Sequence, residues 1–166
     1  MEMKQTEQNL LQAFAGESQA NRKYLAFAQQ AEKEGYHQVA RLFRAAAQAE
    51  TVHAHAHLRV LGGIGTTAEN LKAAIEGETF EFTKMYPGMI DAAKAEGNAS
   101  ALKSFSNANA VEAIHASLYR QALENMDNLT EADYYVCSVC GYTCSKEAPS
   151  ECPVCGSGAK AFSKVD

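Results

Sequence analysis

Glu50 and His53 stand three residues apart in the run AETVHAHAH (residues 49–57), so on a helix they share one face. Val39, Phe43, Ala46, His57 and Val60 recur around them at helical spacing and define a core-facing stripe. A carboxylate and an imidazole therefore occupy positions where the pattern asks for apolar side chains. Burying them without compensation costs several kcal/mol. The arrangement is repeated later: Ala101, Phe105, Ala108, Tyr119, Ala122 and Met126 frame Glu112 and His115. Two further stripes carry ionisable residues on the same inward side. One runs Leu10, Phe14, Glu17, Asn21, Tyr24, Ala28 and Ala31; the other runs Leu71, Ala74, Glu78, Glu81, Met85 and Ala92. One Glu from each of two helices and a Glu-x-x-His from each of two others is the donor pattern of a di-iron or di-manganese carboxylate site in a helical bundle. Oxygen and imidazole donors suit iron or manganese, and zinc can also occupy such a site. Glu81 is not required by this count. His57 lies one turn beyond His53 and is expected to support the site or end the core; His55 points off the stripe.

The second chemical cluster is C-terminal. Cys137-x-x-Cys140 and Cys152-x-x-Cys155 are separated by eleven residues, the spacing of a tetrahedral four-thiolate site. Gly141 and Gly156 follow the second cysteine of each pair and let backbone amides approach the sulfurs. Spacing does not choose between zinc and iron. Beside a redox di-metal site an Fe(Cys)4 centre has the greater use, because it passes single electrons. Cys144 is spare.

The elements that must position these residues are long helices. The expected elements are a helix over about 5–34 closed by Gly35, a second over about 36–61 closed by Gly62-Gly63, and a third from an N-cap at Thr67 to about Glu96. Gly77, Pro87 and Gly88 are expected to bend or interrupt the third. A fourth helix spans about 99–128. The fold expected is all-α, a four-helix bundle over 1–128, joined by a polar linker at 129–133 to a small metal-binding domain at 134–166 that opens on a short strand, Tyr134-Tyr135-Val136. That domain has too little core to fold without its metal.

Composition agrees. Hydrophobic residues make up 46% of the 166 residues with no tryptophan, which favours a helical core of small and medium side chains. Net charge is −5 with scattered basic residues, so nucleic acid is not an expected partner. No long apolar run suggests a signal peptide or a membrane span, and cysteines at metal-ligand spacing fit a reducing cytoplasm.

Phe14-Ala15-Gly16-Glu17-Ser18-Gln19, Gly77-Glu78-Thr79-Phe80-Glu81, Met85-Tyr86-Pro87, both Glu-x-x-His pairs and the cysteine module together resemble the rubrerythrin family, over essentially the whole chain. The resemblance implies a ferritin-like bundle with a non-haem di-iron site and a rubredoxin-like domain with one iron on four cysteines. It implies that Glu50 and Glu112 bridge the irons, that Glu17 and Glu81 serve one iron and Glu78 with His115 the other, and that His53 exchanges with Glu81 as that iron changes oxidation state. It further implies a peroxidase that reduces hydrogen peroxide to water, with electrons from an NAD(P)H-dependent reductase or a rubredoxin entering at the four-cysteine iron. The alternatives are a ferroxidase that handles iron, and a metal-binding protein with a zinc ribbon.

One architectural expectation follows. Ferritin-like topology places the second and third helices parallel, so the chain must return along a helix about 39 Å long. The stretch from Gly62 to Thr67 reaches only about 20 Å. A domain-swapped homodimer is expected, in which helices one and two of one chain pack on three and four of the other.

Overall fold

A computed structural model describes residues 3–165. These residues form two compact units that divide after Gly65.

The first unit is a helical hairpin, α1 (Gln5–Lys33) and α2 (His37–Val60), turned at Gly35, whose φ of +83° is readily adopted only without a Cβ. Its seam is built from alanine: Ala28 and Ala31 of α1 and Ala40, Ala47 and Ala54 of α2 are buried. Their small side chains let the helices approach closely. Buried Asn21 fastens the seam, its Nδ2 donating to the Ala47 carbonyl at 2.7 Å and to Thr51 Oγ1 at 2.8 Å. Phe27 and Phe43 meet edge to face at 5.6 Å. Toward α1 the alanines at 40, 47 and 54, one position from the expected stripe, take the inside of the hairpin, while Val39 is 45% and Val60 70% exposed in the single chain. Glu50 and His53 lie on the flank beside the seam.

The second unit begins with α3 (Thr67–Phe80). Its N-cap is Thr66, not Thr67. Thr66 Oγ1 accepts from the Glu69 N–H, and the Glu69 carboxylate accepts from the Thr66 N–H at 2.7 Å, a reciprocal capping box. Gly77 does not interrupt the helix. The break in regularity comes later, as one π-helical turn over Glu81–Met85 that runs directly into α4 (Tyr86–Ala95), with Pro87 in its first turn. A π turn accommodates one additional residue. The inward phase therefore steps forward by one, and Ala93 is buried in place of the expected Ala92. The last helix, α5 (Ala99–Glu124), is capped by the Asn98 side chain, which accepts from the Ala101 N–H at 3.0 Å. It ends earlier than expected and is followed by a 3₁₀ turn over Met126–Asn128. Val111 and Ala116 are its buried residues, while Tyr119 and Met126, expected in the core, are exposed. Arg120 Nη2 donates to Thr79 Oγ1 at 2.8 Å and ties α5 to α3.

The chain then forms β1 (Tyr134–Cys137), β2 (Thr143–Ser145) and β3 (Phe162–Val165), an antiparallel sheet of order β2-β1-β3. Tyr135 pairs with Cys144 on one side and Lys164 on the other. Lys164 Nζ meets Asp133 Oδ1 at 2.8 Å, closing the start of the module.

Candidate metal centres

The four cysteines are brought together by two loops, each turned at a glycine of positive φ (Gly141 at +84°, Gly156 at +73°). Gly141 N–H donates to the Cys137 carbonyl at 2.8 Å and Gly156 N–H to the Cys152 carbonyl at 2.9 Å, which folds each pair around its own sulfurs. Sγ atoms of Cys137 and Cys155 are 3.8 Å apart, and those of Cys140 and Cys152 are 3.5 Å apart. A tetrahedron with metal–sulfur bonds near 2.3 Å has edges of about 3.8 Å, so the donors fit one ion. Cys137 and Cys152 are buried. The thiols differ in acidity: burial pushes Cys140 up to about 12, whereas hydrogen bonds from Ser157 pull Cys155 down to about 6. Cys144 lies outside the cluster, its thiol directed at the Glu147 carbonyl.

Among the described residues, carboxylates and imidazoles collect in two clusters, one in each compact unit. In the hairpin, Glu17 of α1 joins Glu50 and His53 of α2; in the second unit, Glu78 of α3 joins Glu112 and His115 of α5. Within each cluster, donor atoms lie within 4.8 Å of one another. The geometries repeat: His53 Nδ1 is 2.8 Å from Glu50 Oε2, and His115 Nδ1 is 2.8 Å from Glu112 Oε2. Glu81, at the start of the π turn, is outside the three-residue cluster yet feels its charge. Burial and then the Glu112 carboxylate raise its carboxyl above the ordinary value. The same causes, in the same order, push Glu78 up to about 7, with His115 partly opposing. Tyr86 is raised by burial and then by the charges of Glu112, Glu81 and Glu78. Carboxylates crowded with an imidazole at partly buried positions repel one another unless a cation or a proton joins them, and these groups could hold a metal ion.

The family models agree with the geometry. One described as rubrerythrin matches residues 8–123, and a second, the rubredoxin-like domain of rubrerythrin, matches 135–163. The chain belongs to the rubrerythrin family. It is 40% identical to a rubrerythrin of Porphyromonas gingivalis over 90% of this chain and 84% of that one. To nigerythrin of Nitratidesulfovibrio vulgaris it is 35% identical over 90% and 81%. Among solved structures, nigerythrin in a partially reduced state is similar with a TM-score of 0.60 at 32% identity, covering 99% of this chain and 88% of that one. Nigerythrin in a fully reduced, all-ferrous state is similar to the same degree. The fold class is that of the rubrerythrins, a ferritin-like helical bundle with a small rubredoxin-like module. So is the metal complement: a di-iron site of carboxylate and histidine donors, and a site made by Cys137, Cys140, Cys152 and Cys155. No described helix is long and apolar enough to cross a membrane.

One residue at the rubrerythrin site has no signal in the sequence. Thr143, on β2, reaches α5 and places its Oγ1 3.0 Å from His115 Nε2. Neither its type nor its distance along the chain announces that contact.

Proposed function

We propose that this rubrerythrin is a peroxidase, the terminal component of a chain that carries electrons from NAD(P)H through a separate reductase, or a rubredoxin, to hydrogen peroxide in the cytoplasm. The observation that carries the reading is the occurrence, in one chain, of two matching Glu-x-x-His clusters and a four-thiolate module in contact with one of them. A ferroxidase draws its electrons from the iron it oxidises and needs no such module; a zinc ribbon would give a colourless protein. When bound, a ferrous pair held by these donors would supply two electrons which, with two protons, reduce one hydrogen peroxide to two waters, and the four-cysteine iron would resupply the electrons singly.

The chain's own part is to hold the donors. Glu50 and Glu112 are assigned as bridging carboxylates, Glu17 and Glu81 as ligands of one metal, and Glu78 with His115 as ligands of the other, with His53 exchanging against Glu81. Cys137, Cys140, Cys152 and Cys155 hold the single iron.

The assembly is proposed as a domain-swapped homodimer, each di-metal site taking Glu17, Glu50 and His53 from one chain and its remaining ligands from the other. Two features support this. The connection from α2 at Val60 to α3 at Thr67 is short against a helix of 24 residues, about 36 Å. A two-helix hairpin also cannot bury two apolar faces, and Leu42, Val52 and Val60 stand well exposed.

Stopped-flow absorbance on the anaerobically reduced, iron-loaded protein tests the activity. Fast return of the thiolate-to-iron bands with peroxide, and a slower return with dioxygen, is the expected result. Absence of those bands, or faster reaction with dioxygen, overturns the peroxidase reading in favour of a zinc ribbon or a ferroxidase.

A further inference from the structure

His115 makes contacts with both ring nitrogens, and the two differ in kind. Nδ1 faces carboxylates: Glu112 Oε2 at 2.8 Å and Glu78 Oε1 at 4.0 Å. Nε2 faces the Thr143 hydroxyl at 3.0 Å. That hydroxyl has a single hydrogen, and its other partner, the Gly141 carbonyl 3.0 Å away, can only accept. With that hydrogen given to Gly141, the Thr143 oxygen accepts from His115, and Nε2 carries a proton. In a neutral imidazole the lone pair is then on Nδ1, aimed at the carboxylates. A bare nitrogen and a carboxylate oxygen at 2.8 Å need a proton or a metal ion between them. A metal ion at Nδ1 satisfies both.

We infer that Thr143 is a positioning residue of the di-metal site: its hydroxyl fixes His115 in the Nε2–H tautomer and presents Nδ1 to the metal. The inference rests on the assignment of His115 as a metal ligand, not on peroxidase activity. Thr143 is itself held from both sides. Its strand pairs Val136 with Thr143, and Gly141, the acceptor of its proton, closes the first cysteine loop against α5, with Val111 3.8 Å from where a Cβ would stand. The threonine that orients a ligand of one metal centre thus belongs to the fold of the other. A hydrogen bond from a ligating imidazole to an outer acceptor sets both ring orientation and basicity.

The test uses the full chain loaded with zinc in every site, which is diamagnetic, and long-range proton–nitrogen NMR on the histidine rings. Wild type is expected to show His115 protonated at Nε2, in slow exchange with solvent, and coordinated through Nδ1. Protonation at Nδ1 instead overturns the inference without any variant. Thr143→Val, of the same shape without the hydroxyl, is expected to lose the slow exchange and to bind metal in the carboxylate site about tenfold more weakly; Thr143→Ser restores both. Unchanged exchange and affinity in Thr143→Val, with the four-thiolate site intact, overturns it. If the iron-loaded protein fails to turn over peroxide while the tautomer is as expected, the functional reading falls and the role of Thr143 stands.

Discussion

At the scale of residues, burial and then charge crowding make the metal-free carboxylate site a proton site. Glu78 has its carboxyl pushed from 4.5 to about 7, so between these values the folded chain keeps a proton that the unfolded chain has released. Stability of the metal-free protein therefore falls as pH rises through this window. Urea denaturation is expected to give a lower midpoint at pH 7.5 than at pH 5, and Glu78→Gln to flatten the difference. Metal loading should in turn release more protons at pH 6 than at pH 8, which calorimetry in buffers of different ionisation enthalpy reads directly. The donors themselves were legible in the sequence, because an ionisable residue on an apolar stripe needs a reason. Thr143 was not. A threonine in a strand is ordinary until the fold places α5 beside it.

Elements show where periodicity suffices and where it fails. Helices longer than twenty residues announce α1, α2 and α5 to within a few positions, since each additional turn repeats the pattern. Phase is harder to read. Valines at 39 and 60 invite a reading that puts them inside, but the closest packing in the hairpin comes from alanines one position on, which carry little hydrophobic signal. Adjacent threonines at 66 and 67 both qualify as caps, and only the reach of Glu69 decides between them. Thr66→Ala is expected to cost about 1 kcal/mol of stability and Thr67→Ala much less, by denaturant titration of the two variants. The π turn at Glu81–Met85 leaves no trace in hydrophobic spacing except the later slip from Ala92 to Ala93. Such turns cluster at functional sites, and this one begins at Glu81. Deleting exposed Lys84 would remove the additional residue while keeping Ile90 and Ala93 in phase with α3. Circular dichroism is expected to show the helices retained, and metal analysis to show the carboxylate site depleted.

Taken whole, the molecule divides its ligands between units, and mixing experiments can read how they recombine. A chain carrying Glu17→Ala with Glu50→Ala has one broken cluster; a chain carrying Glu112→Ala with His115→Ala has the other. In a swapped dimer, refolding the two together gives heterodimers with one site made wholly of wild-type ligands. About a quarter of the normal di-metal content should then return at statistical mixing. If each chain completes its own site, none returns. The sequence exposes this question, through a connector too short for a long return, but not its answer, which depends on a second copy.

The cysteine module contributes one more consequence. Its contacts with α5 include Val111 and His115, well before that helix ends at Glu124, so the module is secured along the helix as well as by the chain that leads to it. The four residues from Leu129 to Ala132 therefore do not carry the attachment alone. Drift in their number costs little, because closure entropy grows only slowly with loop length. Change at Gly141 or Thr143 alters the seat itself. Over evolutionary time the tether is free to vary in length while the point of attachment is not.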